Sequence, residues 1–174
     1  MPSSQQIYFA TSDATASAYF LYGIEAGLLS FESAKEWAFS FIDERNDPSI
    51  EIIEIATAGN RQSAISCLRA VASGADFILA GRQLLATLYG QLRLGQVSLS
   101  SSLRMAIQIT WSTCPGSQAY YDFDMLSDEL LLAESGTYGT VDDVLEGSLS
   151  VMSDPVLARL CAKAHNENGR KNSR

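Results

Sequence analysis

Basic residues are absent from a long part of this chain, since no Lys or Arg occurs between Met105 and Ala158. The chain has a net charge of -8, and nine of its carboxylates fall in that stretch. A nucleic-acid duplex or an anionic membrane surface would be repelled by so acidic a region, so we expect neither as a partner. The nine acids are Asp122, Asp124, Asp128, Glu129, Glu134, Asp142, Asp143, Glu146 and Asp154.

Histidine and cysteine are also scarce, with one His and three Cys in the chain. A lone His165 cannot form a histidine-based metal site, and the widely spaced cysteines include no CxxC pair of the kind that binds zinc. Isolated cysteines are usually small buried hydrophobic residues, and reduced thiols are typical of a reducing compartment. We therefore predict no catalytic residue, no cofactor and no metal ion.

The sequence lacks a hydrophobic run that could cross a bilayer, and no basic residue precedes an apolar segment near Met1. Its longest uncharged stretch, residues 105–121, is interrupted by Pro115 and Gly116. A membrane-spanning helix needs about 20 apolar residues, and a secretory signal needs a basic start before its apolar core. We expect no membrane segment and a cytoplasmic location.

Helical periodicity dominates what is present, because apolar residues recur three and four positions apart between hydroxyl or acidic caps and glycine stops. We predict an all-α fold, with one domain over residues 1–174 formed by a bundle of about eight to nine short helices. A disordered tail is expected over residues 167–174. The predicted helices extend from Ser12 to Ala26, from Ser30 to Asn46, from Asp47 through Ile53, after Asn60 to Gly74, from Asp76 to Leu94, from Ser98 to Trp111, from Tyr120 to Glu134, from Thr140 to Met152 and from Asp154 to Asn166.

Local signals at two helix starts predict specific caps. Asp47 followed by Pro48 is typical of an N-cap with a first-turn proline, because proline has no N–H to leave unpaired there. Thr140 with Asp143 three residues later indicates a capping box. In the helix that begins at Asp76, we expect these side chains to face inward: Phe77, Leu84, Leu85, Leu88 and Leu92.

A weak internal repeat is visible in the sequence. The tripeptide at 21–23, Leu-Tyr-Gly, recurs at 88–90, and each copy is followed by a glycine stop and a serine cap, Gly27 to Ser30 and Gly95 to Ser98. A duplication would give two similar helix-pair halves. Chance recurrence of capping signals is the other interpretation, since glycine stops and serine caps are frequent in helical proteins.

The acidic stretch has two interpretations. Asp122, Asp128, Glu129, Asp142 and Asp143 could mark helix starts, where carboxylates favour the positive end of the dipole. The acids could instead form a field that attracts a basic protein and pairs with its Lys and Arg side chains. Aromatic residues, which often anchor interfaces, are interleaved with these acids: they are Tyr120, Tyr121, Phe123 and Tyr138.

The middle of the chain, residues 59–104, is basic, and internal pairing would neutralise part of the acidic flanks. It contains a single acid, Asp76, together with five arginines. Pairing within the molecule is the simplest expectation for most of these arginines. Glu51 and Glu54, three residues apart, resemble half of a di-iron motif, but such sites also require histidines, so a solvated pair is expected.

The segment 37–68, WAFSFIDERNDPSIEIIEIATAGNRQSAISCL, resembles small all-helical bacterial immunity-type proteins that accompany polymorphic or contact-dependent toxins. The shared elements are a tryptophan-containing helix, an Ile-Asp pair, a proline break, an EIIE-like helix and an amphipathic helix. Together with the later helix start at Gly95 to Ser98, the resemblance covers about half of the chain. It implies a toxin-binding function and transfers no catalytic residues.

Three hypotheses follow for function. The first is a non-enzymatic, immunity-like protein that neutralises a cognate basic bacterial toxin through an acidic surface. The second is a helical adaptor or regulatory subunit that binds a protein partner through an apolar groove, with a homodimer as one form. The third, an enzyme that uses carboxylates alone, is disfavoured because general acid and base catalysis needs carboxylates with raised pKa values. Under the first, the partner-binding residues are Asp122, Asp124, Asp128, Glu129, Asp142, Asp143 and Glu146.

Overall fold

The fold is all-α: in the computed structural model, which describes residues 12–44 and 47–153, eight helices occur and no strand is found within those ranges. The all-α prediction is thereby confirmed. The helices are α1 (Asp13–Ala26), α2 (Phe31–Glu44), α3 (Ile50–Thr57), α4 (Arg61–Val71), α5 (Phe77–Arg93), α6 (Leu99–Thr113), α7 (Gln118–Glu134) and α8 (Val141–Met152). The ninth predicted helix, the tail, Cys161 and His165 lie outside the described residues.

The chain divides into two compact units, Met1–Ala80 and Gly81–Arg174, and α5 begins in the first and continues into the second. In the first unit α1 packs on α4, α2 on α3, and α3 on α4. Its core includes Phe20 and Ile24 from α1, Ile55 from α3 and Leu68 from α4, each 2% exposed or less. Such burial of large apolar side chains contributes roughly 1.5–3 kcal/mol each. The prediction of one domain remains a prediction.

The second unit contains α7 and α8, which carry eight of the nine acids between Met105 and Ala158. In it α6 packs on α7, and α7 packs on α8. Leu84, Leu88, Leu103, Ile109 and Phe123 are all fully buried there. One glycine permits a close approach between α5 and α6, because a Cβ at Gly81 would overlap the side chain of Thr113.

Most predicted helix ends are correct to within a few residues. The capping box at Thr140 and Asp143 is confirmed, and α1 begins after the predicted cap Ser12, whose hydroxyl accepts from the Thr15 N–H. The repeated Gly and Ser signals also form the expected local structures. Gly27 and Gly95 have φ of 80° and 65°, which glycine adopts without strain. A duplication of helix pairs nevertheless stays a prediction.

Two local predictions are wrong. Helix α3 begins at Ile50 with Ser49 as its N-cap, so Asp47 and Pro48 precede the helix instead of capping it. Phe77 is 39% exposed, because it is the first residue of α5, where its ring lies against that of Tyr22. Helix α6 ends at Thr113, within two residues of the predicted end near Trp111, and the Cys114 N–H donates to the Thr110 carbonyl.

Across the described residues, none of the helices combines the length and the apolar character that crossing a membrane requires. The longest, α5 and α7, have 17 residues each. Both also contain charged side chains, two arginines in α5 and five carboxylates in α7.

Candidate protein-binding surface on α7 and α8

The acids of interest are carried by two helices that pack closely. Leu126 and Leu130 of α7 and Val144 and Met152 of α8 are all buried. Gly147 lies where a Cβ would come within 3.0 Å of the Leu126 Cδ2, so the absence of a side chain brings the helices together. This contact fixes the position of the acids on α8 relative to those on α7.

The loop between these helices is shaped by its glycines and by the capping box. Gly136 and Gly139 both have φ of 70°, a left-handed conformation that other residues adopt only with strain. Between them Tyr138 is 72% exposed. At the start of α8 the Thr140 N–H donates to Asp143 Oδ2 at 3.2 Å, and the Asp143 N–H donates to Thr140 Oγ1 at 3.2 Å. Asp143 therefore has a structural role as well as a charge.

The dipole interpretation holds for α8 and is wrong for α7. Asp142 and Asp143 do lie in the first turn of α8. The first turn of α7 contains no acid, because that helix begins at Gln118, two residues before the predicted start. Asp122, Asp128 and Glu129 therefore lie beyond the turn in which the dipole acts most strongly. A favourable interaction with the helix dipole therefore does not account for these three acids.

The acids of α7 occupy two sides of the helix. Asp124 and Asp128 are exposed and four residues apart, so they lie on one side. Asp122 and Glu129 are half-buried and seven residues apart, on another side, and Asp122 accepts a hydrogen bond from Gln118 Nε2 at 2.8 Å. The partner-binding residues predicted from the sequence thus do not share one face.

Two of the predicted residues meet across the helix pair. Glu129 of α7 and Asp143 of α8 line an open cavity of about 470 Å³, together with Tyr138, Gly139, Thr140 and Val144. Asp142 and Glu146 are exposed and four residues apart, so they share one side of α8. The acids therefore form three small groups on a single helix pair.

The acids of α7 and α8 are not neutralised from within the described part of the chain. No described Lys or Arg forms an ion pair with any of them. An ion pair in the first unit joins Arg69 to Glu25 at 2.6 Å. Arg61 donates to the Ile24 carbonyl at 2.8 Å, and Arg93 lies 5.6 Å from the centre of the Tyr89 ring. Internal pairing of basic residues thus occurs for Arg69, but not with these acids.

The interleaved aromatic residues separate into core and surface. Phe123 is fully buried, whereas Tyr121 is 56% exposed. Tyr120 links Tyr121 to Trp111 of α6, with ring centres 5.3 Å and 5.5 Å apart. On α6 and α7, four exposed apolar side chains were not predicted from the sequence: Trp111, Met125, Leu131 and Leu132. The signal that could have revealed them is the presence of apolar residues at helical spacing on two sides of α7.

The pair Glu51 and Glu54 lies in the first unit and does not have the properties of a catalytic pair. Hydrogen bonds from its own backbone N–H and from the Ser49 hydroxyl hold the pKa of Glu51 below its usual value. Burial raises the pKa of the Cys67 thiol, and the nearby Glu54 carboxylate, which accepts from Cys67 Sγ at 3.6 Å, raises it further. A general acid at neutral pH needs a raised carboxyl pKa, the opposite of what Glu51 has.

Within residues 12–44 and 47–153, no group of three or more His, Cys, Asp or Glu side chains is placed to hold a metal ion. Comparison of the chain with protein-family models, with curated proteins and with solved structures finds no match.

Proposed function

We propose that this protein is a non-enzymatic, immunity-like binding protein, which neutralises a basic bacterial toxin in the cytoplasm through the acidic surface of α7 and α8. The observation that carries the proposal is the set of exposed carboxylates on this helix pair without a described basic partner. Like charges held together on a folded surface repel one another, and a positively charged partner relieves that repulsion. Electrostatic complementarity of this kind raises association rates and favours one class of partner over others.

The test first seeks a gene for a toxin domain next to the gene for this chain, and then measures the complex of that domain with the full-length protein by calorimetry. The informative variant replaces Asp142 and Glu146 with Lys, because both are exposed and neither takes part in the capping box. We expect the affinity to fall by roughly tenfold or more, as expected when interface charges are reversed. Raising the salt concentration should weaken the wild-type complex, since salt screens exposed charges.

The matched control replaces Glu32 and Glu36 of α2 with Lys. These acids are also exposed and four residues apart, so the control makes the same change in net charge on the first unit. We expect the control to bind the toxin nearly as well as wild type. An equal loss of affinity in both variants would indicate only a general effect of net charge. Unchanged affinity in the α8 variant would disprove an interface on α8.

The second candidate is a helical adaptor that binds a protein partner through an apolar surface. It is favoured by the exposed side chains of Met125, Leu131 and Leu132 on α7, which are 54%, 64% and 42% exposed. An interface dominated by such residues would be insensitive to salt, because burial of apolar area does not depend on screening. A titration of the complex at two salt concentrations separates this candidate from the first.

A further inference from the structure

Helix α7 carries two rows of residues with identical intervals. Residues 119, 123, 126 and 130, spaced by four, three and four, are Ala, Phe, Leu and Leu, and all four are buried. Residues 121, 125, 128 and 132 repeat these intervals two positions later and are Tyr, Met, Asp and Leu. We call them the inner row and the outer row. A shift of two residues turns a helix by about 200°, so the rows lie on opposite sides.

The outer row is exposed along its whole length. Tyr121, Met125 and Leu132 are 56%, 54% and 42% exposed, and Asp128 is exposed between them. Intervals of four and three residues are those of a packing seam between two helices, in which each side chain fits between side chains of the partner helix. An ordinary surface helix has one apolar stripe, towards its core, and polar residues opposite. Helix α7 has a second stripe that the described part of this unit leaves uncovered.

The charges on this side of α7 specify what could cover it. Asp128 stands within the outer row and Asp124 lies one turn before it, and neither has a described basic partner. A helix packed along the row would remove these carboxylates partly from water, which is costly unless Lys or Arg side chains pair with them. The covering segment must therefore be apolar along one stripe and basic beside it.

A second copy of the chain does not meet this requirement. It would bring another outer row, with its own Asp124 and Asp128, against the first, and like charges in contact are destabilising. The net charge of -8 on each copy adds to the repulsion. A basic partner is opposed by neither effect.

We propose that the outer row of α7 binds an amphipathic helix of the partner protein, which places apolar side chains between Tyr121, Met125 and Leu132 and a Lys or Arg against Asp128. This inference rests on the proposed function, since it specifies which part of a basic partner is recognised and where. It goes beyond that function in placing the contact along the outer row of α7, and in requiring apolar contact as well as charge. The aromatic residues Tyr120 and Trp111 extend the surface beyond the first turn of α7.

The test measures binding of a synthetic peptide to the full-length protein. The probe is an amphipathic Leu and Lys helix with Leu at the same intervals, and its counterpart carries Glu in place of Lys. Two variants of the outer row are compared with wild type, Met125→Ser with Leu132→Ser, and Asp124→Lys with Asp128→Lys. The control, Ile50→Ser with Ile53→Ser, removes two exposed apolar side chains of α3, which are 70% and 41% exposed.

We expect the Lys peptide to bind and the Glu peptide not to bind. Each outer-row variant should weaken binding of the Lys peptide by roughly tenfold or more, whereas the α3 control should change it by less than about twofold. Salt should weaken binding without abolishing it, because the apolar contacts remain. Equal binding of both peptides, or unchanged binding to the outer-row variants, would overturn the proposal.

Two further results would assign the outer row to another occupant and would also overturn the proposal. The first is self-association in sedimentation experiments that Met125→Ser with Leu132→Ser abolishes, which identifies a second copy. The second is tighter peptide binding when Leu157→Ser and Leu160→Ser are introduced, which leave the net charge unchanged and identify the chain's own C-terminal segment as a competitor.

The toxin complex separates this inference from the proposed function. If Asp142→Lys with Glu146→Lys weakens that complex but the outer-row variants do not, the proposed function stands and the present inference fails. If neither the α8 variant nor the outer-row variants weaken the toxin complex, the proposed function fails as well.

Discussion

The two sides of α7 have the same spacing and opposite environments. The inner row is buried against the rest of its unit, and Phe123 in this row is fully buried. The outer row carries side chains of similar size that remain in water, with Met125 at 54% exposed. This difference in exposure shows that helical periodicity identifies the apolar stripes of a helix but does not indicate which stripe packs in the core. Neighbouring helices decide that, and in this unit α6 and α8 cover only one side.

The largest expected effect is on the free energy of unfolding, when one residue is truncated in the inner row and one in the outer row. Phe123→Ala should lower the free energy of unfolding by about 3–5 kcal/mol, because it removes a fully buried ring and leaves a cavity. Met125→Ala, on the outer row, should change it by no more than about 0.5 kcal/mol, as expected for an exposed position. Urea denaturation measures both. A large loss for Met125→Ala would show that the outer row is covered within the chain itself.

A smaller effect is expected where the inner side meets α8. Gly147→Ala should destabilise the protein by up to about 2 kcal/mol, because the strain of a Cβ 3.0 Å from the Leu126 Cδ2 in a packed contact exceeds the gain of about 0.5–1 kcal/mol in helix propensity. The matched control is Gly90→Ala on α5, where no atom lies within 4 Å of the added Cβ. There the change should stabilise the protein by about 0.5–1 kcal/mol, because alanine is the better helix former. Thermal melting of the two variants should shift in opposite directions.

Removing one charged side chain from each unit should change the free energy of unfolding by a still smaller amount. Arg69→Ala in the first unit removes the pair with Glu25, whose side chains are 62% and 26% exposed, so we expect a loss of about 0.2–1 kcal/mol. Asp128→Asn in the second unit removes a carboxylate that has no described partner, and we expect no loss within about 0.5 kcal/mol. Both are measured by urea denaturation at low salt. A clear loss for Asp128→Asn would reveal an internal partner for that group.

The smallest effect is a change of reactivity at Cys67. Because burial and the Glu54 carboxylate raise the pKa of this thiol, the thiolate fraction at a mildly alkaline pH is lower than for an ordinary cysteine. Glu54→Gln removes the negative charge, so the pKa should fall towards its usual value and alkylation by iodoacetamide should become faster. Glu32→Gln on α2 serves as the control. Mass spectrometry of the Cys67 peptide across a pH series gives both rates, and equal rates in the two variants would contradict the role of Glu54.

The helices could be predicted from sequence because their ends carry local signals. Ser12, Thr140 and Gly27 act through hydrogen bonds and backbone conformations within a few residues of themselves, so they need no tertiary information. The cap predicted at Asp47 and Pro48 was wrong because a proline after an acid is also compatible with the extended segment that leads to Ser49. The exposure of individual apolar side chains could not be predicted. No residue near Phe77 or Met125 in the sequence indicates that either side chain remains exposed to solvent.

The acidic composition of the candidate surface could be predicted from the sequence, but the arrangement of its carboxylates on α7 and α8 could not. The sequence indicates correctly that the acids of the last third lack basic neighbours along the chain. It could not tell that Glu129 and Asp143 line one cavity while Asp124 and Asp128 lie on another side of α7. Which side of α7 lies beside Asp143 depends on the contact between Gly147 and Leu126, and the sequence does not show that contact.

The positions of the two tryptophans give the molecule an optical property of practical use. Trp37 lies in the first unit between the rings of Phe20 and Phe41, at 5.2 Å and 5.8 Å. Trp111 lies in the second, 58% exposed and joined through Tyr120 to the outer row. Emission from Trp37 therefore reports on its aromatic cluster in the first unit, while emission from Trp111 responds to whatever covers the first turn of α7. A variant that retains only Trp111 would be a fluorescent sensor for occupancy of that surface.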